Sequence, residues 1–289
     1  MKFRTEIDIA SIHKGVLSLD STLFMLGSCF TTNIGERLLQ CGFDATVNPF
    51  GTLYNPLSIE SSIRNTIANR LYSIDDLIMD DKDVWHSLDF HSSFSSTDRE
   101  TIIQHINDTI RQAHQRLLTC DWVILTFGTS YVYRWREADT VVANCHKLHP
   151  DNFCRSMMTV TEVEASMERV ISMIRDVNPD AKFIFTVSPV RHKADGLHAN
   201  QLSKSSLLLA ADSVARKFDN VIYFPAYEIM MDDLRDYRFY AEDMVHPSQV
   251  AVKYIFSLFA EMFMSRQTIN QCAVNEKFNL RQQHRQIIK

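Results

Sequence analysis

The sequence has no long apolar run and no strong excess of charge. A membrane-spanning helix needs roughly 20 consecutive apolar residues, and the densest apolar window, residues 250–264, is shorter and contains Lys253 and Glu261. The first residues carry charges and lack a long apolar core, so we expect no secretory signal. The net charge of −5 gives no reason to expect a nucleic-acid or membrane partner. These absences predict a cytoplasmic protein.

Sequence motifs of cofactor and metal binding are also missing. Neither Gly-x-Gly-x-x-Gly nor Gly-x-x-x-x-Gly-Lys-Ser/Thr occurs, which argues against a nucleotide-binding protein. The histidines lack the tight spacing of metal ligands, so we expect no metal and no other cofactor. The six cysteines show no Cys-x-x-Cys spacing, which is typical of reduced, buried thiols in a cytoplasmic protein. They are Cys29, Cys41, Cys120, Cys145, Cys154 and Cys272.

What the sequence does contain is an alternation of apolar strands with helical patterns. At 289 residues the chain is long enough to bury a substantial core. Five strand candidates separated by helices predict a three-layer α/β fold, with a mostly parallel sheet and helices on both faces. The candidates are Leu23–Leu26, Phe43–Val47, Trp122–Phe127, Lys182–Val187 and Val221–Phe224.

The chain shows no internal repeat and no linker. We therefore interpret residues 1–289 as one domain, with a polar, basic tail from about residue 268. This tail is expected to form a solvated helix, and the alternative is a helix that binds a partner. Residues 131–135 and 140–143 are predicted to pair as a hairpin. Residues 72–97 are irregular and rich in aromatic residues and histidines. Such an insertion either covers a site as a lid or forms a plain surface loop, and both alternatives stay open.

The stretch Leu23–Phe30 places a serine between a strand and a helix. Free N–H groups and the positive end of the helix macrodipole surround Ser28 and would stabilise developing negative charge, as acyl transfer requires. Alternatively, Ser28 is only the N-cap of the helix. Cys29 is a competing nucleophile, because a thiol at a helix N-terminus is acidified. We expect the Cys29 side chain to point elsewhere.

A second motif lies just before the last predicted helix, which Pro247 opens. Asp243 precedes His246 by three residues, so both fit on one turn and the carboxylate can orient the imidazole. A nucleophilic serine needs such a base and such an orienting group. Alone, the Asp-x-x-His motif is common and also fits an acidic surface loop with a histidine beside a helix.

Together these motifs resemble the SGNH/GDSL hydrolase superfamily, in which the catalytic serine follows the first strand of a flavodoxin-like sheet and Asp-x-x-His lies near the C-terminus. More closely, the stretch Gly27–Thr31 is similar to the signature of the GSCFA family within that superfamily, with Thr31 in place of the alanine. Further similar blocks follow in the same order, and the resemblance covers about residues 20–265. These blocks are Asn48–Thr52, Phe127–Tyr131, Ala143–Lys147 and Ser188–His192.

The resemblance implies that these motifs form one active site and gives a function to each of its residues. It makes Ser28 the nucleophile, His246 the base and Asp243 the group that orients the base. The oxyanion hole would use the backbone N–H of Ser28 and the N–H of Gly51. The resemblance therefore implies a serine hydrolase with a Ser-His-Asp triad.

The sequence departs from the superfamily at one further site residue. The superfamily adds an asparagine side chain to the oxyanion hole from a Gly-x-Asn-Asp block after the third strand. The corresponding stretch here, residues 128–131, reads Gly-Thr-Ser-Tyr, so this asparagine is missing. We expect the hydroxyl of Ser130 or Thr129 to replace it, with Ser130 as first choice and Asn144 from the following hairpin as second.

Four residues are candidates for contact with a substrate. His146 and Lys147 lie beside Asn144 and suit an anionic or polyol group, or else they form a solvated hairpin end. Arg191 and His192 follow the fourth strand, at the strand end where α/β proteins bind ligands, or else they belong to a plain loop.

The sequence thus predicts a serine esterase or acyltransferase that acts on a small acylated or carbohydrate-like substrate through an acyl-enzyme. Its partner would be a small ester, and we expect it to bind neither nucleic acid nor a membrane. The alternative is a non-catalytic binding module on a hydrolase fold, which the missing asparagine favours.

Overall fold

A parallel sheet crosses the centre of the molecule. The computed structural model describes residues 5–9 and 14–287. Its strands are β1 (Thr22–Gly27), β2 (Asp44–Val47), β3 (Ile78–Met79), β4 (Trp85–His86), β5 (Trp122–Phe127), β6 (Tyr131–Trp135), β7 (Thr140–Val142), β8 (Phe153–Met157), β9 (Lys182–Val187) and β10 (Val221–Phe224). Its helices are α1 (Cys29–Cys41), α2 (Pro56–Ile67), α3 (Arg99–Leu117), α4 (Val160–Val177), α5 (Leu197–Lys217), α6 (Ala226–Glu228), α7 (Gln249–Phe263) and α8 (Arg266–Ile287).

The central sheet has five strands in the order β2-β1-β5-β9-β10, and every pairing is parallel. Numbered among themselves these strands run 2-1-3-4-5, the order of flavodoxin-like proteins. All five are strands that the sequence predicts, so the predicted α/β fold is confirmed. The chain order reverses between β1 and β5, and a crevice for ligands is expected there, beyond the carboxyl ends of the strands.

Two apolar cores cover the two faces of the sheet. Successive strand residues point to opposite faces, and β1 shows this directly. Phe24 and Leu26 pack into the core beneath α2, α3, α4 and α5, whereas Leu23 and Met25 pack into the core beneath α1 and α7. Because both faces are covered, all six residues of β5 are buried.

The junction between β1 and α1 requires a glycine. Gly27 has φ +148°, and a Cβ there would lie 2.3 Å from the carbonyl oxygen of Thr126 at the end of β5. Ser28 then caps α1 by accepting a hydrogen bond from the Phe30 N–H. The close approach of β1 to β5 therefore places the start of α1 at the crevice.

Two peripheral parts differ from the sequence analysis. The predicted hairpin, β6 with β7, gains β8 as a third antiparallel strand that was not predicted. The predicted solvated tail is helical but docked, since Asn275 donates to the Cys41 carbonyl at 2.7 Å and Cys272 is buried. Ile269 and Cys272 of α8 pack into the core beneath α1 and α7, and asparagine side chains of α8 donate to carbonyl groups of α1. No helix in the described ranges is long and apolar enough to cross a bilayer.

Candidate active site

A cavity of about 570 Å³ opens at the carboxyl ends of β1, β5 and β9. The loops that follow these strands line it, together with the loop before α7. Several residues singled out in the sequence line it, among them Cys29 at the start of α1, His192 after β9 and His246 before α7. The topology therefore gathers chemically active residues that are far apart in the chain at the expected edge of the sheet.

Asp243 and His246 form a hydrogen-bonded pair at the rim of this cavity. Asp243 Oδ2 lies 2.5 Å from His246 Nδ1, and Oδ1 accepts the N–H groups of Val245 and His246 at 2.9 Å each. The His246 N–H, followed by its ring, holds the pKa of Asp243 at about 2. With Nδ1–H donated to this carboxylate, the lone pair of neutral His246 is on Nε2, where a base needs it. The structure thus brings the predicted base and its orienting group together.

Ser28 lies beneath the cavity and does not line it. Ser28 is buried, with only 1% of its surface exposed. The hydroxyl donates to Ser188 Oγ at 2.9 Å and accepts from the Phe30 N–H at 3.2 Å. Among the described residues, these are its hydrogen-bond partners, and His246 is not one of them. In this structure the Ser28 hydroxyl caps α1, and its function as the nucleophile stays a prediction.

Cys29 lines the cavity, although the sequence analysis expects its side chain to point elsewhere. Burial raises the pKa of its thiol, and the negative charge of Asp243 raises it further. The N–H groups of Cys29 and Phe30 and the positive charge of Lys204 oppose this shift in pKa. Cys29 therefore shares the cavity with His246 and keeps a thiol whose pKa lies above its ordinary value.

The two backbone groups predicted for the oxyanion hole are already engaged. The Ser28 N–H donates to the Thr126 carbonyl at 3.3 Å, and the Gly51 N–H donates to the Asn48 carbonyl at 2.8 Å. Each would have to give up its backbone acceptor to bind a substrate oxygen. The predicted hole is therefore not preformed.

Three side chains are candidates to replace the missing asparagine of the oxyanion hole, and they differ in their position relative to the cavity. The Ser130 hydroxyl is buried without a partner among the described residues and does not line the cavity. Thr129 lines it, but its hydroxyl is paired with Ser203 Oγ at 3.0 Å. Asn144 also lines it, and its Oδ1 accepts the His146 N–H at 2.8 Å, which leaves the amide NH₂ as a donor. The second choice of the sequence analysis is thus better placed than the first.

The four predicted substrate contacts divide into two pairs. Arg191 and His192 line the cavity, and burial followed by the charge of Lys204 lowers the pKa of His192 to about 4. His146 is buried elsewhere, with Nε2 2.8 Å from the Ser87 carbonyl, and burial lowers its pKa to about 4. Lys147 is exposed and does not line the cavity.

The insertion at residues 72–97 contributes one wall of the cavity through His91. The backbone of His91 donates to the Phe50 carbonyl at 3.1 Å, so the insertion is joined to the loop after β2. Its function as a lid stays a prediction.

Sequence analysis missed Lys204, which lies on the inner face of α5 and is 1% exposed. Its ammonium group donates to the carbonyls of Gly128 and Ser188 at 2.6 Å each. Burial lowers its pKa to about 7. The available signal was its spacing, because Lys204 shares one helix face with buried Asn200 and Leu207.

Among the described residues, no three His, Cys, Asp or Glu side chains cluster as metal ligands would.

Comparisons with known proteins complete this description. The model of the GSCFA family matches residues 22–259. A comparison with curated proteins gave no match. Among solved structures, a Clostridium thermocellum family 3 carbohydrate esterase shares 12% identity at a TM-score of 0.41, over 88% of this chain and 98% of its own. An acetyl xylan esterase from Butyrivibrio proteoclasticus shares 11% identity at a TM-score of 0.41, over 86% of this chain and 65% of its own.

Proposed function

We propose that this chain, which belongs to the GSCFA family, is an esterase or acyltransferase that works through a covalent acyl-enzyme. One observation carries the proposal. His246, which is paired with Asp243, lines the same cavity as Cys29 at the N-terminus of α1, where Ser28 and Cys29 are the two candidate nucleophiles.

The proposed reaction has two halves, and His246 moves the proton in both. A nucleophile at the start of α1 attacks the ester carbonyl while His246 Nε2 accepts its proton. His246 then protonates the departing alcohol, which leaves an acyl group on the protein. Water or a second alcohol attacks this acyl group, and its proton passes through His246 back to the nucleophile. The acceptor alone separates hydrolysis from transfer.

Two adjacent residues compete for the nucleophilic position. The family resemblance assigns it to Ser28, and that assignment stays a prediction. For Ser28 to attack, its hydroxyl must leave Ser188 Oγ and the Phe30 N–H and turn into the cavity. Cys29 already lines that cavity.

The cavity wall supports a small acylated or carbohydrate-like substrate. Tyrosines and arginines line it, which suits a ligand with both apolar and hydroxyl surfaces. Arg155 lies 3.6 Å over the Tyr131 ring and pairs with Asp195, so this wall is held in place. Arg191 donates to the Tyr240 hydroxyl at 3.0 Å.

The rival proposal is a non-catalytic binding module. The engaged N–H groups of Ser28 and Gly51 favour it, because a binder has no need of a preformed oxyanion hole. The intact Asp243–His246 pair opposes it.

Turnover of p-nitrophenyl acetate separates the two proposals. We expect measurable release of p-nitrophenol by the wild type and a loss of about 10²–10⁴-fold in His246→Ala, the usual contribution of a general base. His149→Ala is the matched control, since His149 is exposed and does not line the cavity. A folded wild-type protein that neither turns over nor becomes acylated would support the binding module instead.

A further inference from the structure

We infer that a second cavity, which adjoins the candidate active site at Arg191, binds a sugar ring, so that the substrate is an acylated saccharide of at least two units. The acylated unit would occupy the cavity that His246 lines, and the neighbouring unit would occupy the second cavity. This inference rests on the proposed function and specifies the class of its substrate. It has four supports, which are the position of the second cavity, its attachment to the candidate base, its chemical lining and its backbone.

The second cavity lies beside the candidate active site and is large enough for a small molecule. Its volume is about 390 Å³, and a smaller cavity of about 200 Å³ adjoins it along Gln201 and Tyr237. Volumes of roughly 300–1,000 Å³ are usual for small-molecule sites. Arg191 lines both of these cavities and also the cavity that contains His246. One side chain therefore forms the boundary between the place proposed for acyl transfer and a further space for a ligand.

The wall of the second cavity is attached to the candidate base through the backbone. Tyr240, which lines the second cavity, forms an antiparallel bridge with Pro247, the residue after His246. From the end of β9, the Arg191 N–H donates to the Val245 carbonyl at 3.2 Å, just before the same histidine. The second cavity is therefore fixed in position relative to the base, as two parts of one binding site must be.

The deeper lining of the second cavity is aromatic and apolar. Tyr227, Met230 and Tyr240 are buried there. Tyr237 is 60% exposed, and the centre of its ring lies 5.8 Å from that of Tyr240. The faces of aromatic rings carry partial negative charge, which attracts the C–H groups on the face of a sugar ring. An exposed tyrosine beside a second ring therefore suits stacking of one sugar unit.

Polar groups that suit sugar hydroxyls lie on the same cavity. Gln201 Oε1 accepts the Tyr227 hydroxyl, which leaves the amide NH₂ of Gln201 as a donor. Asp232 and Asp236 are exposed and line the cavity, and carboxylate oxygens accept hydrogen bonds from hydroxyl groups. Donors and acceptors thus surround an aromatic surface, as the hydroxyls of a sugar surround its ring.

The balance of charge favours a neutral ligand over an anion in the second cavity. Its lining contains two arginines and two aspartates, so their formal charges cancel. Arg191 Nε donates to the Tyr240 hydroxyl at 3.0 Å, and its guanidinium carbon lies 4.2 Å over the Tyr240 ring. A guanidinium held in this way has further N–H donors, which can bind the hydroxyls of a sugar.

The backbone of the second cavity has a rare conformation. Residues Ile229–Leu234 form a π-helix, and Met231 and Asp232 of this helix line the cavity. The π-helix ends at Arg235, which has a left-handed φ of +38°. π-Helices are rare and frequently lie at functional sites, and left-handed backbone in residues other than glycine also clusters at ligand sites. A binding site gives a reason for this costly conformation.

Rates of acetate release from matched sugars test this inference. The monosaccharides are glucose and galactose acetylated on the primary hydroxyl. The disaccharides are cellobiose, maltose and lactose acetylated on the primary hydroxyl of the non-reducing unit. We expect at least one disaccharide to exceed its matched monosaccharide in kcat/KM by about tenfold, the size of one good aromatic contact.

Variants of the second cavity should remove this preference. Tyr237→Ala should bring the ratio of disaccharide to monosaccharide close to one, because the exposed ring is lost. Gln201→Ala should reduce the ratio by about threefold to tenfold, as expected for the loss of one hydrogen bond. Phe278→Ala is the matched control, since Phe278 is an aromatic residue with 59% exposure that lines neither cavity, and it should keep the ratio.

Calorimetric titration of His246→Ala with the same sugars measures binding without turnover. We expect the favoured disaccharide to bind about tenfold more tightly than its monosaccharide. Adding Tyr237→Ala to this protein should remove the difference in affinity. Thermal unfolding of each variant establishes that it is folded.

The outcomes separate this inference from the proposed function. Equal rates and equal affinities for monosaccharides and disaccharides throughout the panel would overturn the inference and leave an esterase. A disaccharide preference that Tyr237→Ala keeps would place the second sugar elsewhere and would also overturn it. A preference in binding that Tyr237→Ala abolishes, without acetate release by folded wild-type protein, would support the second site and overturn the proposed function.

Discussion

Two groups of polar side chains meet at the start of α1, and they are built in opposite ways. The Asp243–His246 pair is open, with side chains 49% and 47% exposed, and a single turn of chain forms it. The network of Ser28, Ser188 and Lys204 is buried and joins residues up to 176 positions apart, as the difference between 204 and 28 shows. The open pair is suited to proton transfer, whereas the buried network is suited to holding backbone in place.

This difference predicts which variants change activity and which change stability. Groups in the open pair can be altered with little loss of packing, because water replaces their hydrogen bonds. Groups in the buried network cannot be altered in this way, since a buried polar atom left without a hydrogen-bond partner costs about 1–3 kcal/mol.

The largest effect is expected for Asp243→Asn in the open pair. The amide cannot hold His246 in the tautomer with its lone pair on Nε2, so we expect turnover of p-nitrophenyl acetate to fall by about 10²–10⁴-fold. The melting temperature should stay close to that of the wild type. Asp151→Asn, at an exposed aspartate beside another histidine, is the control. A large fall in melting temperature with turnover preserved would reverse the assignment of the pair.

A smaller effect on activity is expected for Asn144→Ala. If the Asn144 amide binds the oxyanion, its removal should reduce kcat by about 10²–10³-fold. Ser130→Ala should change kcat little, because the Ser130 hydroxyl does not line the cavity. The opposite ranking of the two variants would restore the first choice of the sequence analysis.

In the buried network, Lys204→Met should act on stability. Its two carbonyl acceptors, at Gly128 and Ser188, would lose their donor, and the relief of lysine desolvation offsets part of this cost. We expect a net loss of about 2 kcal/mol in the free energy of unfolding, measured by urea denaturation. A variant more stable than the wild type at pH 7 would show that the two carbonyls find other donors.

The pH dependence of stability offers a finer test of Lys204. Its folded pKa of about 7 lies below its ordinary 10.5, so between these values the unfolded chain binds more protons than the folded protein. Stability contributed by this group therefore rises with pH across that window, by up to about 1.4 kcal/mol per pH unit. The difference in unfolding free energy between wild type and Lys204→Met should grow from pH 7 to pH 9. A constant difference would contradict the depressed pKa.

The smallest effect concerns the bond between Ser28 and Ser188. In a double-mutant cycle of Ser28→Ala and Ser188→Ala, we expect a coupling energy of about 1 kcal/mol in the unfolding free energy. Ser28→Ala alone should also lose the cap of α1, and Ser188→Ala alone should also lose the acceptor of the Val190 N–H. A coupling near zero would mean that the Ser28 hydroxyl is free to turn, which would favour it as the nucleophile.

The central fold could be predicted because its signals are local and periodic. The apolar run of β5, Trp122–Phe127, is buried on both faces, and such a run is typical of a parallel strand. The docking of α8 was missed because Asn275 and Asn279 reach carbonyl groups on α1 more than 230 positions away, and few apolar residues mark this contact. Polar contacts between distant segments leave little trace in a sequence.

The sequence by itself determined the five strands of an α/β fold, the turn at Gly27-Ser28 and the pairing of Asp243 with His246. In each case the interacting groups are close in the chain, or the apolar period marks the burial. Only the tertiary structure decided that Cys29 lines the cavity while Ser28 lies beneath it, and that Lys204 is buried behind both. The direction of a side chain at a helix start depends on what the neighbouring cap binds, and here the cap binds Ser188, 160 residues along the chain.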